Sequence, residues 1–578
     1  MKHALPRRTW LNILILVALS IIFGGIGLHW ILAYKVGQPV NIDEGGYLCI
    51  ALTDSENWAA HGLFGFIRAV DSSSIQAPIT TGITGFLFVL FGVHMTLALL
   101  VPTAFYIATI WVVYALADHL LESRGASLLT AILVACCPSI LAYSRDYIFA
   151  VPAMFFYTLA VLALIKSEHF SNRTWAIIFG IACGLTPLAR TVTIAFVPGL
   201  WLAALLYSQT GADTRKNFKL ACRSIILSIF VALLWLVRSG VHVFKYLTSY
   251  GYGSHAKEYG LALHINLLGI LLNALTIINE SSNFLYFLVF MGALLAALLV
   301  CLWTRLRGLR AFAKSKELLL LICILEPLAA LCSTRNQGTG FFVPVLPPLI
   351  ALCVISLWRW SRGNRLYKAV CSLLLLVVAA SGLVPALSAT SDLARERNLG
   401  YSSIGVLEVT NGLGVTQQWE AGNGYKSQWP GLPVSLEQGH RWVEFSVQTA
   451  RDIKALSGYN AATGIGFVHV LYNTGTVALE EHLLYGHILT GGIYALDPVA
   501  TGNNVTGDEA WLTTGVGRHI CILLTAHVRN PAVQPFDLAI DQNQLEQAAM
   551  KAGFQQQEQL LMPDGNLVLL WRRPSKCV

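Results

Sequence analysis

Ionisable side chains are sparse in this sequence, and the ones whose chemistry matters fall in a few short segments. An acidic pair, Asp43-Glu44, with Tyr47 three residues on, opens the segment NIDEGGYLCIA at 41–51. Arg145 and Asp146 share the segment SRDY at 144–147, and Arg190 lies in LARTVT at 188–193. Arg238 begins a long aromatic and glycine-rich stretch that carries Tyr252, His255 and Lys257, and Arg335 lies in STRNQGTGFFVP at 333–344. A carboxylate held at a membrane surface can take the proton of an acceptor hydroxyl. Several Arg and Lys around one cleft can hold a phosphate and stabilise the charge on a leaving phosphate, and apolar, aromatic segments beside them accept a lipid tail. Together these groups suit transfer of a group from a lipid phosphate to an acceptor. A carboxylate pair can also bind Mg²⁺ or Mn²⁺, although two carboxylates suffice for base catalysis. Each residue has an ordinary alternative: Arg and Lys at span ends anchor helices at the interface, Asp146 can pair locally with Arg145, Asp43-Glu44 can be a solvated loop start, and the stretch YGYGSHAKEYG can be an aromatic belt with turns.

The elements that must position these groups are membrane helices. Of 578 residues, 12% are charged and 55% hydrophobic, and the mean hydropathy is +0.61. A soluble chain of that composition would expose large apolar patches. The formal charge of +8 does not indicate nucleic acid, because the basic residues sit in short loops between apolar runs, where they set orientation. Most of the 12 Cys lie inside apolar runs as small hydrophobes, and they form neither CxxC nor Cys/His metal spacing.

Runs that could span recur at 10–33, 94–117, 127–143, 147–165, 174–189, 191–208, 220–239, 283–304, 317–333, 340–358 and 367–389, about eleven crossings. The first is too long for the core of a cleaved signal and reads as an uncleaved span. Basic residues crowd alternate loops, with Lys2, Arg7 and Arg8 first, then Arg124, Lys166 and Arg173, Arg215 to Lys219, Arg305 to Lys316, and Arg359 to Lys368. Those loops are expected to be cytoplasmic. Two further apolar runs, 79–92 and 263–278, are placed on the outer side as interfacial or re-entrant segments, since a crossing by one alone would invert every later loop. The N-terminus is then cytoplasmic, the outer loops are 34–93 and 240–282, and Asp43-Glu44 lies on the outer side, where Arg145, Asp146, Arg190, Arg238 and Arg335 also face out from span ends. Glu326 lies inside a span before Pro327, where an intramembrane carboxylate is a functional candidate unless it patches the defect made by the proline.

From about residue 391 the composition becomes ordinary. WVEFSVQ (442–448), GFVHVLY (466–472), HICILLTAHV (519–528) and NLVLLWRR (566–573) read as strands, and QNQLEQAAMKAGF (542–554) as a helix stopped by Gly553. The expectation is a mainly α, polytopic bundle over 1–390 with a soluble extracytoplasmic α/β or α+β domain over 391–578.

At this point the sequence resembles the polytopic, inverting glycosyltransferases of GT-C fold that use polyprenyl-phosphate sugars, a group that includes protein O-mannosyltransferases and the lipid A aminoarabinose transferase. The resemblance runs through Asp43-Glu44 and Tyr47 directly after the first span, SRDYIFAVPAMFFYTLAV (144–161), GIACGLTPLARTVTIAFVPG (180–199) and FFVPVLPPLIAL (341–352). It implies that Asp43 is the general base, that Glu44 and Asp146 support it or help bind acceptor or metal, and that Arg190 and Arg335, with Arg145 and Arg238, are candidates for the donor phosphate. Tyr47, Tyr252, His255 and Lys257 would line the substrate loop. The family's late motif often has a basic-aromatic pair just before the Pro-rich span, whereas here NQGTG separates Arg335 from Phe341. The implied partners are a polyprenyl-phosphate sugar, a glycan, lipid or protein acceptor, and membrane lipid, in a bacterial inner or plasma membrane. The alternatives are a transporter or flippase for a lipid-linked glycan, which should carry ionisable groups at the bilayer midplane, and a membrane anchor whose outer domain does the work.

Overall fold

Backbone polar groups inside a bilayer must be satisfied within their own segment, so apolar runs of this length fold as helices. The computed structural model describes residues 7–40, 42–72, 75–253, 267–306, 315–336, 340–360, 364–387, 401–404, 407–410, 436–457, 462–469, 471–486, 493–495, 512–513, 516–527, 536–537 and 541–577, and within these every expected run is mainly helical. The helices are Arg7–Trp30 (α1), Ile42–Ser72 (α2), Pro78–Phe91 (α3), Met95–Leu121 (α4), Arg124–Ala135 (α5), Pro138–Tyr143 (α6), Ala150–Lys166 (α7), Arg173–Ala189 (α8), Val197–Ser208 (α9), Thr214–Tyr252 (α10), Leu267–Glu280 (α11), Phe284–Leu306 (α12), Lys316–Cys332 (α13), Leu346–Trp360 (α14) and Arg365–Leu387 (α15). Among the described residues, six helical segments are long and apolar enough to cross a membrane, and six more apolar helices are shorter. Helix length alone therefore assigns six of the eleven expected crossings.

The chain is an integral membrane protein of mainly helical fold. One contiguous apolar core joins residues of α4 (Tyr106, Ile110), α7 (Tyr157, Leu164), α8 (Phe179), α9 (Leu200), α12 (Phe290), α13 (Ile324) and α14 (Ile350). The outward faces of α1, α10, α12 and α15 remain apolar and exposed, as at Ile21, Leu234, Leu302 and Leu373, which suits a lipid solvent.

Three departures from expectation have physical causes. The run 127–143 divides into α5 and α6 because Pro138 lacks an N–H and its fixed φ suits the first turn of a new helix. The outer loop 34–93 is largely helical: α2 spans 31 residues with a break at Gly62, and α3 lies against it. The stretch after Arg238 continues α10, whose 39 residues extend roughly 58 Å, about twice the hydrocarbon core.

The C-terminal region adds Leu436–Ser457 (α16), Thr474–Tyr485 (α17) and Gln542–Lys551 (α18). Its main sheet has five strands in the order Ile493–Ala495, Ala462–Ile465, Ile520–His527, Leu567–Arg572, Gln555–Leu561. The first three are parallel and the last two join antiparallel, giving an α/β domain with α16 and α18 in separate cores. The expected strand 442–448 is instead part of α16. Its buried residues Trp442, Phe445, Ser446, Thr449, Ala450 and Ile453 follow the helical spacing of three and four, which seven residues are too few to reveal. Strands at 520–527 and 567–572 and the helix at 542–551 match expectation, whereas among the described residues of 466–472 only Val468–His469 is extended. A disulfide joins Cys521 to Cys577, a pair that motif spacing does not flag. They are, however, the only cysteines after residue 391.

Candidate active site

The site is built where α1 ends and α2 begins. The last turn of α1 widens into a π-turn, Ile31–Lys35, closed by Val36 N–H donating to the Ile31 carbonyl. Such widened turns are frequent at functional sites. This one buries Lys35, whose Nζ lies 3.0 Å from Glu44 Oε2 and 2.9 Å from Asp146 Oδ1. The other oxygen of Glu44 accepts the backbone N–H of Tyr147 at 3.0 Å. Glu44 and Asp146 are each about 1% exposed, so the ammonium and these bonds offset their desolvation. Burial raises the pKa of the Asp146 carboxyl, while Lys35, the next largest influence, opposes the rise. The segment 144–149 docks further through Tyr47, stacked on Phe149 with centroids 4.0 Å apart, and through Thr103 Oγ1 donating to the Ser144 carbonyl.

Asp43, one residue from this buried cluster, is exposed. Desolvation by the surrounding protein raises its carboxyl pKa, Arg190 opposes the rise, and Glu44 adds to it. Arg190 follows α8, whose Gly180 and Gly184 let it lie directly on the backbone of α10 at Ser224 and Ser228. The Arg190 guanidinium is buried, donates Nη1 to the Gly340 carbonyl at 2.7 Å, and lies 4.7 Å from the ring centroid of Phe341. Burial lowers its pKa, and Tyr47, Tyr143, Asp43 and Tyr246 counter the shift. Gly340 has φ +80°, and a Cβ there would fall 2.5 Å from Tyr143 Cζ. The left-handed backbone therefore both fits beside Tyr143 and presents its carbonyl to Arg190. The cation beside Phe341 is thus Arg190, from a distant segment of the chain.

Of the expected residues, Asp43, Glu44, Tyr47, Asp146 and Arg190 come together. Arg145 is buried beside Asp146, its guanidinium carbon 5.0 Å from the Trp30 ring centroid. Arg238 is exposed and pairs with Asp71 at 2.6 Å. Arg335 N–H donates to the Gly251 carbonyl, and the Tyr252 hydroxyl lies 3.1 Å from Ser333 Oγ, so these two tie the end of α10 to the segment after α13. His255 and Lys257 lie outside the described residues. Glu326 rests against α9, where it bonds the backbone at Gly199, whereas the Cys323 carbonyl four residues before Pro327 accepts the Tyr157 hydroxyl. Sequence reasoning missed Lys35, Tyr246 and Gly340. Lys35 was visible only as a lone charge at the end of an apolar run, and its contact with Asp146 bridges 111 residues.

Among the described residues no group of three or more His, Cys, Asp or Glu could hold a metal ion. Two of the three carboxylates expected to help bind one already enclose the Lys35 ammonium, so the residues present do not fit a metal.

The C-terminal region meets this site. Gly45 packs against Gly475 and Thr476 at the start of α17, Cys49 Sγ donates to the Gly475 carbonyl at 3.3 Å, and Glu56 lies 2.8 Å from His482 Nδ1. Gln38 reaches His440 of α16.

Residues 76–235 match the family model described as dolichyl-phosphate-mannose-protein mannosyltransferase. The matched region contains Asp146 and Arg190. The sequence has no match among curated proteins. Among solved structures, ArnT from Cupriavidus metallidurans in the apo state superposes with a TM-score of 0.53 at 16% identity, over 96% of this chain and 97% of that one. The same protein bound to undecaprenyl phosphate gives 0.51 at 14% identity, over 98% of each. In fold across nearly its whole length, and in sequence over residues 76–235, the chain is similar to the polyprenyl-phosphate-sugar glycosyltransferases of GT-C fold.

Proposed function

We propose that this protein is a membrane glycosyltransferase that moves a sugar from a polyprenyl phosphate to an acceptor hydroxyl on the non-cytoplasmic side, with inversion at the sugar carbon and Asp43 as general base. The observation that carries this reading is the division of labour among three neighbouring carboxylates. Lys35 holds Glu44 and Asp146 in buried ion pairs, and Asp43 beside them is exposed, with Arg190 near enough to act on its charge. In the reaction Asp43 removes the acceptor hydroxyl proton as that oxygen bonds to the anomeric carbon. The bond from that carbon to the phosphate oxygen breaks on the opposite face, and the electron pair leaves on the polyprenyl phosphate. Arg190 supplies the positive charge for that phosphate. The structure of a similar fold bound to undecaprenyl phosphate supports the donor class.

The reading includes the two-part organisation, with residues 1–390 as the membrane domain and 391–578 as an outer domain, the N-terminus cytoplasmic and the membrane a bacterial plasma membrane. The disulfide in the C-terminal domain supports an oxidising compartment for it. Full-length protein in nanodiscs can be given undecaprenyl-phosphate-linked mannose, glucose or arabinose and assayed for release of undecaprenyl phosphate. Asp43→Asn should lower turnover about 10²- to 10⁴-fold while the protein still inserts and folds. Full turnover by that variant would sink the mechanism.

A further inference from the structure

Helix α17 begins with its own closed start. Asn473 Oδ1 accepts the N–H groups of Gly475 and Thr476, and Thr476 Oγ1 accepts the N–H of Asn473. A rigid helix start is thus presented to another element. The element it meets is the first turn of α2, two residues beyond Asp43. The approach is closer than any side chain allows. A Cβ added to Gly475 would lie 2.4 Å from the Gly45 carbonyl carbon and 2.7 Å from Gly46 N, backbone atoms that cannot rotate away. One turn further along α2, Cys49 donates to the Gly475 carbonyl, and about two turns beyond that Glu56 meets His482. Along the preceding segment, Gly439 and His440 of α16 close on Gln38 and Gly37. The stretch from 37 to 56, which contains Asp43 and Glu44, is therefore contacted by α16 near one end and by α17 over the other.

We propose that Gly475 is a positioning residue for the transfer reaction, and that the C-terminal domain sets the place of the Asp43 carboxylate by seating the bare backbone of Gly475, at the start of α17, on Gly45. The proposal rests on the reading of Asp43 as base. Gly475 touches no reacting atom; it fixes the height of the α2 turn. Any side chain at 475 pushes that turn away, and a displacement of about 1 Å at a catalytic group costs on the order of a hundredfold in rate.

The test uses full-length protein in nanodiscs with the same undecaprenyl-phosphate sugars, and peptide-resolved hydrogen exchange in parallel. Gly475→Ala should lower kcat about tenfold to a hundredfold with KM for the donor within about twofold, and should speed exchange across 42–52 but not across 95–121. Cys49→Val removes the bond to Gly475 without a backbone clash, and should shift both readouts the same way by less. It serves as the decisive variant if Gly475→Ala does not fold. Unchanged kcat and unchanged exchange would overturn the proposal, and so would a loss confined to KM. Asp43→Asn run alongside separates the two ideas. If it is inactive while the Gly475 and Cys49 variants behave as wild type, the positioning role fails and the base survives. If it is fully active, the base fails, and the exchange result still decides whether Gly475 seats the turn.

Discussion

Lys35 replaced by methionine would leave Glu44 and Asp146 buried, close together and without their shared cation. Breaking a buried pair in this way costs about 3–5 kcal/mol, and two like charges would then face each other. Lys35→Met should therefore lower the thermal unfolding midpoint in detergent and abolish transfer, whereas Lys35→Arg should recover part of the stability. An unshifted midpoint in Lys35→Met would mean the ion pairs contribute nothing. The pH profile belongs to the same scale. In the proposed mechanism Asp43 must be ionised to accept a proton, and its carboxyl pKa is raised, first by burial and then by Glu44, against Arg190. Activity is therefore present above that raised pKa and is lost as pH falls through it. The acid limb of kcat/KM should lie above the ordinary aspartate value of about 3.9, and a limb at or below that value would contradict the geometry.

At the scale of elements, the connection from α13 to α14 is decided by Gly340. Alanine there would force a strained left-handed backbone and drive Cβ into Tyr143, moving the carbonyl that Arg190 binds. Gly340→Ala should raise KM for the lipid-phosphate donor and lower kcat, with strain of about 1–3 kcal/mol; steady-state kinetics unchanged in both would show that Arg190 does not depend on this carbonyl. Elements were also where the sequence was most legible. The apolar runs became helices, and the acidic segments fell at helix starts. Legibility failed where an element's identity depends on contacts far along the chain. The segment 442–448 alternates over its last six residues yet belongs to a helix, α16, that buries a helical face over its length. The stretch after Arg238 looked like a loop because its polarity rises, but it continues a helix already nucleated in α10. Asp43, Glu44 and Asp146 could be placed on one side by loop charge, whereas their separation into one exposed and two neutralised carboxylates needed Lys35, which only the fold brings to them.

For the whole molecule, the decisive expectation is orientation. A phosphatase fused after Val578 should be active and a green fluorescent protein there dark, with the opposite result for fusions in the 305–316 segment. Reversed signals would place Asp43 in the cytoplasm and remove the proposed donor side. The disulfide at Cys521 and Cys577 gives an independent check, since the two thiols should be protected from alkylation in intact cells until a reductant is added.

The seat of α17 on α2 also bears on how the protein comes into being. Cys49 and the carbonyl it binds are separated by 426 residues. At about 5–20 residues per second of synthesis, roughly 20–90 s pass between the appearance of the α2 turn and the arrival of its support. During that interval the membrane helices can insert and gather, while the turn that bears Asp43 lacks its rest. If Asp43 is the base and Gly475 seats its turn, as proposed, a truncated or stalled chain that lodges in the membrane carries the carboxylate without its support and should turn over donor lipid far more slowly than the finished chain.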